Sequence, residues 1–287
     1  MLKQRLITAL VLIPFALYCV FAVSLEAFSW AILAVITAGA WEWAPLMGLQ
    51  RLASKLAYTA SVAVILAVLI IAIPVDTIWF NGQLQPIYYA IVLAGLGWWV
   101  VATLLTLKYP NSRRLWSRTR SIVGLFGYLT LIPAWVGLLA VRSLNYSDNS
   151  LYGGFALLFV LLLVWAADVG AFFAGVRYGR NKLMPAVSPG KTMEGLIGGI
   201  ALAFVVMMVV SHWVQVPADQ FNGYYLTGLV TVVASVFGDL SESMFKRCAG
   251  VKDSGSLLPG HGGVLDRIDS LTAALPVFTV AYLWLLA

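Results

Sequence analysis

The fold class predicted for this 287-residue sequence is an all-α, polytopic integral membrane protein with about nine transmembrane helices, forming one transmembrane domain over residues 1–287. Three observations predict it. Apolar residues make up 61% of the chain and charged residues only 10%, with a mean hydropathy of +0.91; soluble domains carry roughly 25% charge. The apolar residues fall into segments near the ~20 residues that cross a ~30 Å hydrocarbon core. Finally, no stretch between them is long and polar enough for a soluble domain. Helices and loops are then the whole expected architecture, because an open sheet in lipid strands its backbone hydrogen-bonding groups.

Taken in order, the candidate spans are 5–24, 28–48, 56–74, 87–107, 121–141, 152–176, 194–214, 224–246 and 270–286. The first has Lys3 and Arg5 ahead of it and Ala22-Val23-Ser24 behind it, like a cleaved signal. Its apolar run of about 18 residues exceeds the ~7–15 of a signal core, so a retained anchor is expected. The second carries Glu42 between Trp41 and Trp43. That acid reads either as an interfacial group reaching for water or as a support for a functional site. In the sixth, Asp168 precedes Arg177 by about nine residues, ~13 Å of helix rise, deep enough that it must face protein or water. His212, beside Trp213 toward the far end of the seventh span, is interfacial. The ninth span is the shortest.

Between the sixth and seventh spans lies RYGRNKLMPAVSPGKTMEG. Gly190-Lys191-Thr192 looks like the end of a P-loop, but that motif's first glycine falls on Pro185 and a membrane helix precedes the loop where a strand is required. What survives is physical: Ser188, Lys191 and Thr192 sit just before a helix starting near Glu194, a suitable place for a phosphate.

Orientation follows from the basic residues. With a cytoplasmic N-terminus, every Lys and Arg except Arg142 falls on the cytoplasmic side, while the opposite loops carry Glu26, Asp76, Asp148 and Asp219. The net charge of +6 therefore belongs to membrane topology rather than to nucleic-acid binding, since no exposed aromatic platform interleaves the basic groups. Cys19 and Cys248 are far apart and lack metal spacing, so neither a disulfide nor a zinc site is expected.

Chemistry concentrates between Gly238 and Ser270, where five acids, four Lys or Arg and one histidine share 33 positions. Asp239, Glu242 and Lys246 fall at i, i+3 and i+7 and so share a helix face. Acids at the end of an apolar helix need a cavity, a partner charge or a metal. Glycines around His261 let backbone N–H groups turn toward an anion, and hard oxygen ligands beside Lys and Arg suit magnesium carrying phosphates.

Ser243, Phe245-Lys246-Arg247, Lys252-Asp253-Ser254, Pro259-Gly260-His261-Gly262-Gly263 and Leu265-Asp266-Arg267-Ile268-Asp269 resemble, in order and spacing, the signature of the phosphatidate cytidylyltransferases, or CDP-diacylglycerol synthases. Ser-Pro-Gly-Lys-Thr at 188–192 also resembles a segment of that family, and length and hydrophobic framing are similar to its bacterial members. The resemblance implies a bacterial inner-membrane enzyme, its site cytoplasmic, that joins CTP to phosphatidate and releases pyrophosphate. On that reading Mg2+ is held by Asp239, Asp266 and Asp269, with room for a second cation by two-metal logic. Lys246, Arg247, Lys252 and Arg267 stabilise the phosphates, with Asp253 among the catalytic residues. Glu242, Gly262, Gly263 and Asp168 join Ser188, Lys191 and Thr192 in binding substrate. His261 serves as a hydrogen-bond donor or loop organiser, because a phosphate monoester is already an anionic nucleophile. The partners expected are CTP, phosphatidate within the bilayer and the membrane, with a homodimer admissible and no nucleic acid. A cation-coupled transporter is the less favoured reading, since internal repeats are not evident; a CDP-alcohol phosphotransferase requires a motif that is absent.

Overall fold

The computed structural model describes residues 13–257, 260 and 262–287. Eight long apolar helices are found among the described residues: α1 (Leu25–Leu46), α2 (Leu52–Ala72), α3 (Pro86–Leu107), α4 (Arg120–Arg142), α5 (Tyr152–Tyr178), α6 (Met193–Trp213), α7 (Phe221–Ala249) and α8 (Leu265–Leu285). They correspond to the second to ninth expected spans. Of the first span, residues 13–21 are helical, and its beginning, with Lys3 and Arg5, lies outside the described residues.

The last helices are the hub. α8 packs against α7, α4, α3, α5 and α1, and 61% of its apolar window is buried, as for α4. At the periphery, α2 and α6 bury only 22% of theirs. α6 rests mainly on α5, where the backbones come so close that a Cβ on Gly199 would lie 2.6 Å from the Ala167 carbonyl oxygen. Small residues are what permit such an approach where burial of apolar area between helices gives little advantage over lipid.

Beneath the signature region lies an aromatic layer. Phe245 of α7 stacks at 5.0 Å on Trp43 and at 5.1 Å, edge-on, against Trp116. Three indole N–H groups near this layer have acceptors: Trp43 donates to the Val123 carbonyl at 2.9 Å, Trp98 to Thr130 at 2.9 Å and Trp99 to the Thr272 carbonyl at 3.0 Å. The rings fill volume while these polar atoms stay matched; the buried Trp116 N–H is left without a partner.

Three features depart from the sequence expectation. Two short antiparallel hairpins interrupt the helices, β1 (Trp79–Phe80) with β2 (Gln83–Leu84), and β3 (Lys182–Met184) with β4 (Ser188–Thr192). The first turns through Asn81 and Gly82, both at positive φ, the type I′ chemistry that Asn-Gly favours. The third difference is the start of α8, five residues before the expected 270. The hydropathy falls at Asp266 and Arg267, but the helix does not stop there, because its first N–H groups find acceptors elsewhere in the fold.

On the side opposite the signature region, buried Arg142 donates through Nε to the Val20 carbonyl at 2.6 Å and through Nη1 to the Ser150 carbonyl at 3.1 Å. The one basic residue assigned to the outer side is thereby used to tie loops together.

Candidate functional site

The site is built where α7 and α8 converge. Gly238 permits this approach: a Cβ there would stand 2.6 Å from the Asp269 carbonyl oxygen. The convergence sets Asp239, Glu242 and Lys246 of α7 opposite Asp266 and Asp269 of α8. Lys246 lies between the two helices, its ammonium 2.7 Å from Asp266 Oδ1 and 3.3 Å from Glu242 Oε1. The first contact is a charge-assisted hydrogen bond, whereas the second is an ion pair out of line for one. Glu242 is 4% exposed and neither of its carboxyl oxygens has a hydrogen-bond partner. It faces a crevice shared with Asp269, Ser241, Thr130 and Thr272.

Asp266 has a different environment. Besides Lys246 it accepts from the Ser254 amide at 3.0 Å and the Gly263 amide at 2.9 Å, so it gathers both ends of the signature loop. Gly262 turns at φ 82°, a left-handed value that a Cβ would strain, and an added Cβ would also meet Asp266 Oδ2 at 2.9 Å.

The β3–β4 hairpin brings a second cation. Lys191 Nζ is 2.7 Å from Asp239 Oδ2, and both side chains are about a third exposed. Asp239 Oδ1 lies 3.4 Å from the Ser243 hydroxyl. Arg247 holds the hairpin in place by donating to the carbonyl of Val187, which is itself fully buried. Thr192 caps α6, accepting from the Gly195 amide at 3.1 Å. Its hydroxyl is therefore engaged in the cap, while Lys191 beside it reaches the acids.

A cavity of about 320 Å3 opens beside this pair. Asp168, Lys191 and Thr192 form its polar part, and Phe172, Val176, Leu196 and Val236 line its apolar part. Phe172 and Val176 are also exposed, so the apolar wall continues into the outer surface of α5. The intramembrane acid of α5 thus faces the cavity, in electrostatic range of Asp239 and Lys191.

Some expected residues stand apart. Lys252 and Asp253 are exposed on the loop, Arg267 is exposed on the first turn of α8, and Ser188 is only partly covered at the hairpin. His261 lies outside the described residues. One residue outside the signature belongs to the site's frame: Glu42 is buried at 2% exposure, which excludes the water-seeking interfacial role. It accepts from the Ser254 hydroxyl at 3.0 Å and from the amides of Val264 at 3.1 Å and Leu265 at 2.8 Å.

The donor set fits a hard divalent cation in charge and chemistry. Asp239, Glu242, Asp266 and Asp269 face two ammonium groups, Lys191 and Lys246. The oxygens of Glu242 have the Lys246 ion pair but no hydrogen bond, in a pocket where carboxylates outnumber ammonium groups. Among the described residues, however, no three metal-ligating side chains are already gathered around one point.

Comparison with known proteins bears on the chemistry. The model of the cytidylyltransferase family matches residues 3–285. A Pseudomonas aeruginosa protein named phosphatidate cytidylyltransferase is 43% identical over 284 residues, covering 99% of this chain and 97% of the relative. A Haemophilus influenzae protein of the same name is 40% identical, with both chains fully covered. One from Bacillus subtilis, also so named, is 39% identical over 153 residues, about half of each chain. With a family match across nearly its whole length and full-length relatives at this identity, the chain belongs to the cytidylyltransferase family.

Proposed function

We propose that this protein transfers the cytidylyl group of CTP to phosphatidate, giving CDP-diacylglycerol and pyrophosphate, at the cytoplasmic face of a bacterial plasma membrane. The observation that carries the reading is the joining of two surfaces. A cluster of carboxylates and lysines meets a cavity whose apolar wall runs out onto the outer face of a membrane helix. A substrate with a phosphate head and two acyl chains matches both halves.

In the reaction an oxygen of the lipid phosphate forms a bond to the α-phosphorus of CTP, and the bond to the bridging oxygen of the leaving pyrophosphate breaks. Several negative charges converge, so catalysis is mostly positioning and neutralisation. Lys191 is placed to exchange Asp239 for the incoming phosphate, because its ion pair is partly open to solvent. Lys246, enclosed between Glu242 and Asp266, acts on the arrangement of the acids instead. Arg247 positions the hairpin, and Lys252 and Arg267 are exposed cations on the side where the triphosphate would arrive. Asp239 and Asp269 are the carboxylates best disposed to hold Mg2+, with Asp266 joining through lone pairs its N–H donors leave over. When bound, the ion supplies charge neutralisation at the phosphates.

Purified protein in detergent with magnesium should release pyrophosphate only when CTP and phosphatidate are both present. Release from CTP alone would show a hydrolase and overturn the reading. The orientation has its own test, in a background lacking Cys19 and Cys248. A cysteine at position 115 should react only with reagents on the cytoplasmic side and one at 148 only from outside. Leu115 and Asp148 are both exposed, so labelling of both from one side would refute the topology.

A further inference from the structure

We infer that Glu42, in the second expected span and far from the signature in sequence, is the positioning residue of the site: its anionic carboxylate holds the two ends of the signature loop together and so fixes where Asp266 and Asp269 stand.

The chain reaches Glu42 twice. On the incoming side of the loop the Ser254 hydroxyl donates to Oε2 at 3.0 Å. On the outgoing side the Leu265 amide donates to Oε2 at 2.8 Å and the Val264 amide to Oε1 at 3.1 Å. The latter two are orphan N–H groups at the start of α8, which ordinarily take their acceptor from the residue just before the helix. Here Val264 occupies that place and has no side-chain acceptor, so α8 borrows one from α1, 222 residues away. Three donors thus converge on one buried carboxylate, and the N-terminal end of a helix is directed at it.

The loop's composition is fitted to this contact. A Cβ on Gly255 would collide with Glu42 Oε1, and one on Gly263 with Glu42 Oε2 and the Ser254 hydroxyl. Two glycines of the signature region are therefore demanded by the acid on α1. Asp266 holds the same two ends through the Ser254 and Gly263 amides. Glu42 and Asp266 thus form a double clasp in which the acid of α1 fixes the loop and the acid of α8 also faces Lys246. With the Glu42 contact gone, Asp266 must hold the loop unaided, and the first turn of α8, with Asp269 one turn on, loses its fixed start. Glu42 touches no reacting atom in this scheme; it acts through the carboxylates of α8.

This role rests on the cytidylyl-transfer reading for its activity arm, but the loop-tethering arm does not need it. Glu42→Gln keeps the shape and removes the charge, and its amide nitrogen must face at least one N–H donor. In metal-free detergent solution, trypsin should cut after exposed Lys252 at least tenfold faster in this variant than in the parent protein. With substrates, kcat/KM should fall ten- to a hundredfold and half-activation should require several-fold more magnesium. The KM for phosphatidate, whose cavity lies on the far side of α7, should hardly move. Glu42→Asp, charged but shorter, should recover part of both losses. Ser254→Ala, which deletes one donor and is expected to fold, should change both readouts in the same direction, by less, and less than additively with Glu42→Gln. Unchanged cleavage at Lys252 in Glu42→Gln would overturn the proposal, as would activity lost only in step with the folded fraction. If the parent protein releases no pyrophosphate while cleavage at Lys252 accelerates in the variant, the tether stands and the reading of the reaction fails.

Discussion

Asp239→Asn should lose about a thousandfold in turnover while its thermal unfolding in detergent stays near that of the parent. Asp239 is the most accessible acid of the cluster, and its contacts are few: an ion pair to Lys191, which lines the cavity, and a long contact to Ser243. An exposed pair of this kind contributes little to stability. For catalysis the charge is what counts, since a hard cation prefers anionic oxygen and a carboxamide replaces it poorly. A transition-state contact worth ~4 kcal/mol corresponds to the thousandfold loss. Asp266→Asn makes the informative comparison, because Asp266 also holds Lys246 and two loop amides and should lose stability as well as rate. Turnover against magnesium, measured beside unfolding for both variants, checks this. Near-normal turnover of Asp239→Asn at ordinary magnesium would remove that residue from the metal site.

The largest loss of stability is expected from Lys246→Met. The ammonium is the shared counter-charge of Asp266 and Glu242, and all three side chains are almost entirely covered. Removing one partner from a buried ionic group strands the others, at a cost of roughly 3–5 kcal/mol. Methionine keeps the length and the packing, so the loss reads the charge. The double variant Lys246→Met, Glu242→Gln should recover a part, since one stranded anion is then gone. If thermal unfolding of the single variant in detergent matches the parent, Lys246 is not the internal counter-ion of the cluster.

Much of this was legible in the sequence. Hydropathy gave eight spans that the described residues carry as helices, and the spacing of Asp239, Glu242 and Lys246 put them on one face of α7. What was not legible is the set of tertiary contacts. The pairing of Lys191 with Asp239 and the capping of α8 by Glu42 join segments that no local pattern connects. The early start of α8 was missed for the same reason, since its acceptors come from another helix. The β1–β2 hairpin could have been found, because Asn81-Gly82 is a strong turn signal in a stretch too polar to span. The β3–β4 hairpin is harder: it depends on Arg247 holding Val187 from a distance of 60 residues.

The cavity beside Lys191 has a consequence for how such an enzyme senses its supply. Phe172 and Val176 line it and are also exposed on the outer surface of α5, so on the proposed reading a lipid would reach it by moving sideways within its own leaflet. The concentration that governs occupancy is then a surface density, the mole fraction of phosphatidate among its neighbours, rather than an amount per volume of cytoplasm. CTP, arriving from water, obeys the ordinary three-dimensional rule. One catalytic centre would then respond to two phases at once, and an expanding membrane would lower its rate by dilution alone, even at constant total phosphatidate.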